Sequence, residues 1–279
     1  PADLLFHAKS SEELVEVVSI AKDLEIPYFL MGRGANLLIG DRGFRGLVII
    51  CEVAGIDFLD GNRVRVGSGV GIYPELTTAT VEKGLGGLHH FVGIPSTVGG
   101  AMWQNLHFLS PPPDRSRTVF MEEFVASACI LSETDEIAVV DNSYFKFAYD
   151  YSILHDRNDI VLTVDFALDL ESPQKLRQIM KENLDWRKNR HPDLIRFGSV
   201  GSIFKKIEGI GAGRLIDLCG LKGKIHGGAQ IFDRHANIII NRGTATASDV
   251  LALINLAQTT VAQEQGYELE PEITLVGEF

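Results

Sequence analysis

Cysteine is scarce. Cys51, Cys129 and Cys219 are scattered and odd in number, and none forms a C-x-x-C pair. That excludes a disulfide framework and a thiolate zinc site, and it fits a reducing cytoplasm. The three are expected to be core thiols. Metal-ligand spacing is missing as well. The eight histidines show no H-x-x-x-H or H-E-x-x-H pattern, so no metal is expected. No apolar run reaches membrane-spanning length and no signal-peptide pattern occurs, so no membrane role is expected. Positive charge is in deficit, with 26 Lys and Arg against 37 Asp and Glu, a net charge of -11. This argues against a broad phosphate-neutralising surface and hence against nucleic acid as a main partner, but leaves room for a local basic pocket. Three motifs are absent: a G-x-G-x-x-G opening a helix, a Gly-Lys-Ser/Thr phosphate loop, and a G-x-S-x-G elbow. A Rossmann site, a P-loop and an α/β-hydrolase nucleophile are therefore not expected.

Glycine is plentiful, at 28 of 279 residues, and two clusters stand out. Gly93-Ile94-Pro95-Ser96-Thr97-Val98-Gly99-Gly100-Ala101 follows the apolar His90-Phe91-Val92. Glycine permits close backbone approach to a ligand, and proline fixes the entering turn. If Ala101-Met102-Trp103 continues as a helix, its free amides would face an anion such as a pyrophosphate. A tight turn between core elements is the competing reading. The second cluster, Met31-Gly32-Arg33-Gly34-Ala35-Asn36-Leu37-Leu38-Ile39, follows the strand-like Tyr28-Phe29-Leu30. Two backbone-anion loops in the first hundred residues suggest one long phosphate-bearing ligand, such as a dinucleotide.

The length suits two domains or three small lobes. A helix is expected after Ser10, with Glu13 three residues on and Leu14, Val17, Val18, Ala21 and Leu24 at helical spacing. Strands are expected at Leu47 to Ile50, Arg63 to Gly67, Phe124 to Leu131, Glu136 to Val140 and Asp159 to Leu168. Tyr73 to Lys83 reads as a helix stopped by Gly84. Ser172-Pro173 starts a helix running to about Arg190 and leading into a third lobe. That lobe reads as a loop from Gly198 to Lys206 and a helix from about Gly211 to Cys219. Strands follow at 229–232 and 237–241, then a helix from Ala247 to Gln265 capped by Thr246, and a last strand from Glu272 to Val276.

Several polar groups in this lobe can carry chemistry. Gly201-Ser202-Ile203-Phe204-Lys205-Lys206 sets a hydroxyl and two ammonium groups around an apolar pair. Gly220-Leu221-Lys222-Gly223-Lys224 and Arg234-His235-Ala236-Asn237 add positive and imidazole groups, and Glu270-Pro271-Glu272 adds carboxylates. Each also has a plain structural reading as a turn, a solvated surface or a strand cap. His89 and His90 precede the first glycine cluster, and at most one is expected to touch a cofactor.

Seven motifs occur in order: Gly32-x-Gly34-Ala-Asn36-Leu-Leu, Gly93 to Ala101, Gly201-Ser-Ile-Phe-Lys205, Ala212-Gly-Arg-Leu-Ile-Asp217, Gly220-Leu-Lys-Gly223, His235-Ala-Asn237 and Leu269-Glu-Pro-Glu272. Together they resemble the UDP-N-acetylenolpyruvoylglucosamine reductases of peptidoglycan synthesis, over nearly the whole chain and in that family's compact subtype. Pro1-Ala2-Asp3 resembles the end of a Gly-Gly-Pro-Ala-Asp segment near the start of that family, so a preceding strand is expected.

The resemblance implies an α+β fold. Its parts would be a two-lobed FAD-binding region of the vanillyl-alcohol-oxidase type (lobes 1–57 and 58–170) and a C-terminal α/β lobe, 171–279, binding a UDP-sugar. It implies non-covalent FAD, NADPH as co-substrate, and a cytoplasmic monomer. Gly32, Gly34, Ala35, Asn36, Leu37, Gly93, Ile94, Pro95, Ser96, Thr97, Val98, Gly99, Gly100 and Ala101 would hold the FAD pyrophosphate, with Asn105 near the flavin. Ser202 matches the proton donor and Glu272 the acid near the enolate. Glu272 would need a proton or a cationic neighbour there, because a bare carboxylate repels an enolate. Tyr149, Lys205, Lys206, Lys222 and His235 would face the substrate.

One departure is sharp. The family usually has Tyr-Arg-x-Ser, whereas this chain has Tyr149-Asp150-Tyr151-Ser152. Aspartate opposes the role of an arginine that holds the substrate carboxylate and enolate. Arg187, Arg190, Arg196 and Lys206 are candidate replacements, Lys206 first because it sits close to Ser202 in sequence. Asn105-Leu106-His107 also replaces the usual Asn-Ala-Gly. The alternatives are another flavin oxidoreductase on the same FAD lobes, or a catalytically weakened protein that binds flavin or UDP-sugar.

Overall fold

A computed structural model describes residues Pro1 to Phe279. Six α-helices punctuate the chain: α1 (Ser11–Asp23), α2 (Thr77–Glu82), α3 (Val98–Gln104), α4 (Pro173–Arg190), α5 (Ala212–Leu218) and α6 (Ala247–Gln265). The chain divides into two compact units. The larger comprises Leu4–Arg33 and Gly46–Trp186; the smaller comprises Pro1–Asp3, Gly34–Arg45 and Arg187–Phe279.

The larger unit is built on a five-stranded antiparallel sheet in the order Ile137–Asp141, Val125–Leu131, Ile160–Ala167, Arg63–Gly67, Ile56–Leu59. The period of two in Arg63-Val64-Arg65-Val66 has its expected consequence. Val64 and Val66 are fully buried, and they pack in one core with Leu76, Phe91, Met102 and Phe166. On the other face Arg65 makes a bidentate pair with Asp165 (2.7 and 2.8 Å). A second core lies under α1, where Leu14, Val17, Val18 and Ala21 meet Ile49 and Leu162. Ser10 caps α1 as expected, accepting the Glu13 amide at 3.2 Å. The strand Tyr28–Met31 runs parallel to Leu47–Ile50.

The smaller unit carries a four-stranded antiparallel sheet, ordered Gly198–Ser202, Ile238–Asn241, Ala229–Ile231, Ile225–His226. Ile231 and Ile239 share a core with Leu215 and Ile216 of α5 and with Leu253, Ile254 and Val261 of α6. Thr246 and Asp249 form the capping box of α6, and Gly266 ends it at φ +72°. The segment Gly34–Arg45 is tied into this unit twice. Leu37–Ile39 pairs in parallel with Thr274–Val276, and the Asp41 carboxylate accepts the Ala247 and Ser248 amides at 2.6 and 3.0 Å.

Two elements differ from expectation. Gly198–Ser202 is a strand rather than part of a loop; its glycines hide the period-two signal, and pairing with Ile238–Asn241 decides its conformation. The helix expected from Tyr73 is regular α-helix only from Thr77, after a wider helical turn over Ile72–Leu76. Tyr73 is extended (φ -127°, ψ 137°), because the residue before a proline disfavours helical geometry.

Candidate functional site

The two glycine clusters meet. In the larger unit a cavity of about 300 Å³ is lined by Gly32, Arg33, Ile50, Cys51, Glu52, Ala54, Gly69, Val70, Glu75 and Thr97. A Cβ on Gly32 would collide with the Thr97 side chain, and a Cβ on Gly69 would lie 2.5 Å from the Glu52 carbonyl carbon. Only glycine lets these wall segments pack so closely, Gly32 on Thr97 and Gly69 on the backbone of Glu52 and Val53. Such a cradle fits a phosphate-bearing cofactor. Sequence reasoning did not single out Gly69 or Glu75. Gly69 has a signal in Gly67-Ser68-Gly69-Val70-Gly71, a third glycine cluster after a strand, whereas Glu75 has none.

The role expected of α3 needs correction. Its opening amides are already engaged: Val98 N donates to Val70 O (2.9 Å), Gly99 N to Ser68 O (2.8 Å), and Ala101 N to Thr97 O (2.8 Å). Gly100 N donates to the Thr97 hydroxyl at 3.3 Å. The first turn of α3 is docked on Ser68–Val70, so its amides hold protein carbonyls rather than offering a free anion site. From Gly93 to Ala101, only Thr97 lines the cavity. Cys51 is also more than a core thiol, for it lines the cavity and its Sγ lies 3.2 Å from Ser68 Oγ.

The second glycine loop is split between the units. Gly32 and Arg33 belong to the larger, and Gly34, Ala35, Asn36 and Leu37 to the smaller. Within the smaller unit Asn36 Nδ2 donates to Glu272 O (3.1 Å), and Thr274 N donates to Asn36 O (3.0 Å). The segments that carry the two residues expected to be catalytic pair here. Ser202 ends the strand Gly198–Ser202, and the next residue, Ile203, accepts the Glu272 amide at 2.8 Å. Phe204 bridges Pro271, and Lys205 N donates to Glu270 O at 2.9 Å. Gly201 sits at φ +84°, and a Cβ there would lie 3.8 Å from Ala35 O. Asn237 locks this run, its side chain accepting the Phe204 amide (2.9 Å) and donating to Phe204 O (2.8 Å). Sequence reasoning placed Asn237 in a motif without recognising that buried role.

The expected cations fall into two groups. Lys205 and Lys222 are partly exposed and paired, with Glu270 at 2.5 Å and Asp217 at 2.8 Å; Lys206 is exposed. A deeper group gathers at the end of α4. Burial pushes the Arg187 guanidinium down to about 10. Burial, then the Arg187 charge, holds His191 down at about 3. The His191 and His235 rings lie 5.3 Å apart, and burial lowers His235 as well. The buried His235 Nδ1 has no partner in the protein.

In the larger unit, Asp150 is buried at φ +57°, where Asp and Asn are tolerated better than most residues, and Gln104 Nε2 donates to its carboxylate. Tyr149 is partly exposed, its ring 4.7 Å from that of His107. Asn105 is fully buried in a left-handed C-cap, donating to Ala148 O (3.0 Å) and accepting the Glu122 amide (3.1 Å). This side chain is engaged by the backbone.

His89 and His90 are both turned into the fold. His89 Nδ1 accepts the Gly87 amide at 2.9 Å, and His90 Nδ1 lies 2.7 Å from Ser110 Oγ. Burial, with the Arg117 charge behind it, holds His90 down at about 4. An unfolded histidine takes its proton near pH 6.5, so the unfolded chain protonates first on acidification. The stabilising contribution is therefore full above about pH 6.5 and is lost as pH falls towards 4. His90→Asn keeps a polar atom facing Ser110 but does not titrate. Its unfolding free energy is expected to fall less steeply than that of the wild type across this range in urea titrations; equal slopes would contradict the reading.

Comparison with known proteins agrees with this geometry. Residues 2–110 match an FAD binding domain, and residues 193–276 match the UDP-N-acetylenolpyruvoylglucosamine reductase C-terminal domain. The chain is 36% identical to the UDP-N-acetylenolpyruvoylglucosamine reductase of Moorella thermoacetica, over 100% of this chain and 88% of that protein. It is 34% identical to that of Pediococcus pentosaceus, over 100% and 89%. The crystal structure of the Thermus caldophilus reductase superposes with a TM-score of 0.80 at 30% identity, covering 98% of this chain and 91% of that one. With a relative 36% identical over the whole of this chain and a structural match over 98% of it, the chain belongs to the UDP-N-acetylenolpyruvoylglucosamine reductase family.

Proposed function

We propose that this protein uses NADPH and non-covalently bound FAD to reduce the enolpyruvyl ether of UDP-N-acetylglucosamine-enolpyruvate to UDP-N-acetylmuramate, in peptidoglycan synthesis. The observation that carries this reading is the smaller unit's placement of Ser202 and Glu272 on two paired segments, beside Asn36. Residues 1–57 and 58–170 act as the FAD lobes and 171–279 as the UDP-sugar lobe. No helix is long and apolar enough to cross a membrane; we place the enzyme in the cytoplasm, as a monomer.

Bound FAD supplies a two-electron carrier that takes hydride from NADPH and passes it to the vinyl carbon. Gly32, Gly69 and Thr97 shape the cavity for its diphosphate, with Gly34 to Leu37 as a further binding segment, while the start of α3 docks on Ser68–Val70 and so holds Thr97 in place. Asn105 holds the adjoining turn in place. Hydride addition leaves an enolate, and the Ser202 hydroxyl gives its proton to the neighbouring carbon and regains one from solvent. A serine hydroxyl is a weak acid, so it needs a basic acceptor and tight positioning. The Asn237 lock and the Glu272 amide bond supply that positioning.

Glu272 assists at the enolate as the protonated acid. Lys205, Lys206, Lys222, His235 and Tyr149 bind the UDP-sugar. Arg187, rather than Lys206, takes over the carboxylate role left by Asp150. Arg187 is half-buried, so its charge is less screened than that of the exposed Lys206.

Purified protein is expected to be yellow and to oxidise NADPH only when the enolpyruvyl substrate is present. A colourless protein that FAD cannot reconstitute, or NADPH oxidation indifferent to that substrate, would defeat the proposal. The readings as a different flavin oxidoreductase or a weakened binding protein are not favoured, because the reductase's own C-terminal domain matches as well as the FAD domain.

A further inference from the structure

Arg33 stands in the cavity wall directly after Gly32, and its side chain does not point idly into solvent. Arg33 Nη2 is ion-paired with Glu75 Oε1, and Glu75 Oε2 accepts the Gly71 amide at 2.9 Å. The guanidinium lies flat on Gly71, where a Cβ would sit 2.5 Å from Nη2. Both side chains are about half exposed, at 40% and 48%. Burial opposes ionisation of Glu75, but the Gly71 amide and Arg33 outweigh it and hold the carboxyl below its usual range. Glu52 lines the same cavity, its carboxylate paired with His7 at 3.0 Å. A diphosphate entering the cavity therefore meets the Arg33 guanidinium with Glu75 already on it.

Exposed ion pairs contribute little to folding, so this pair is cheap to open. A diphosphate offers a guanidinium more charge and several acceptor oxygens in a bidentate geometry. The geometry points to Arg33 as the side chain that grips the cofactor diphosphate, with Glu75 as an internal competitor that holds Arg33 in place until the cofactor displaces it. The inference rests on the reading of the cavity as the FAD site. Glu75 thereby weakens cofactor binding while keeping the guanidinium at the cavity mouth, so occupancy responds to cofactor concentration. Glycine-loop chemistry alone predicts neither effect.

The test is FAD binding to flavin-stripped full-length protein, followed by quenching of flavin fluorescence. Arg33→Gln is expected to weaken FAD binding by about tenfold or more, and Glu75→Gln to tighten it by about three- to tenfold. Gln at position 75 keeps a carbonyl oxygen for the Gly71 amide, so the local turn survives. In the Arg33→Gln background the gain from Glu75→Gln is expected to shrink to under about half of its single-variant value on a logarithmic scale. Arg33→Lys, which keeps the charge but not the fork, should fall between wild type and Arg33→Gln. Thermal unfolding of the stripped variants checks that each is folded. An Arg33→Gln affinity equal to wild type, or a Glu75→Gln protein that binds FAD more weakly, overturns the inference. Wild-type protein that binds no FAD would instead overturn the cofactor reading itself.

Discussion

Replacing Ser202 with alanine is expected to lower turnover by about 10²–10⁴-fold, the range typical of a lost general acid. Reduction of bound flavin by NADPH should proceed at the wild-type rate, because that half-reaction needs no proton for the substrate carbon. The loss is therefore confined to reoxidation by the enolpyruvyl substrate. The substitution should leave the fold intact. Ser202 is only partly buried at the end of its strand, and its backbone register with Ile238 does not depend on the hydroxyl. Ser202→Cys, which retains an ionisable hydrogen at the same position, is expected to recover part of the rate. Stopped-flow measurement of the two half-reactions checks this. Equal slowing of both would mean that the alanine had disturbed the site as a whole, and undiminished reoxidation would remove Ser202 from proton transfer.

The second large effect is expected at Gly69. Its missing Cβ points at the backbone of Glu52 and Val53 rather than at a movable side chain. Gly69→Ala must shift the strand Phe44–Cys51 or the turn after it, and both line the cavity. Overpacking of this kind costs about 1–3 kcal/mol, and no side-chain substitution elsewhere can relieve a clash between backbones. FAD affinity is expected to fall by about a hundredfold or more, since roughly 2.7 kcal/mol of lost complementarity suffices. Gly32→Ala makes a useful contrast, because its clash is with the Thr97 side chain. Trimming that side chain, as in Gly32→Ala/Thr97→Ala, is expected to restore part of the affinity. Fluorescence titration of stripped protein measures all three. Wild-type affinity in Gly69→Ala would show that the cavity is not the cofactor site.

The periodic parts of the fold were legible in the sequence. The α6 cap at Thr246 and the alternation from Arg63 to Val66 encode their local structure and appear as expected, as does the α1 stripe of Leu14, Val17, Val18 and Ala21, except that Leu24 ends the helix exposed. What escaped was decided by distant partners. Gly198–Ser202 has no apolar period, and only pairing with Ile238–Asn241 makes it a strand. Gly32 and Gly34 are two residues apart, yet they fall in different units because Leu37–Ile39 pairs with Thr274–Val276. The α3 amides looked free because their acceptors, Ser68 and Val70, lie some thirty residues earlier in the chain.

The candidate site shows the same division. Ser202 and Glu272 could be named from motifs, and the structure supplies the hydrogen bond between their segments. Arg187 stood among several unranked arginines; burial, which sequence does not display, sets it apart. Arg33 is only the variable position of the Gly32-x-Gly34 motif, and Glu75 carries no motif. They become a pair only because the Gly71 turn brings Glu75 to the loop after Tyr28–Met31.

The most direct test of the account is a single anaerobic turnover. Protein reduced with one equivalent of NADPH is mixed with UDP-N-acetylglucosamine-enolpyruvate in deuterium oxide, and flavin absorbance and product mass are followed. The account predicts reoxidation of the flavin in step with formation of UDP-N-acetylmuramate carrying a solvent-derived deuterium on the carbon beside the one that received hydride; the N5 hydrogen of reduced flavin exchanges with solvent, so deuterium on the hydride-accepting carbon does not bear on the claim. Flavin that stays reduced in the presence of this substrate would contradict it.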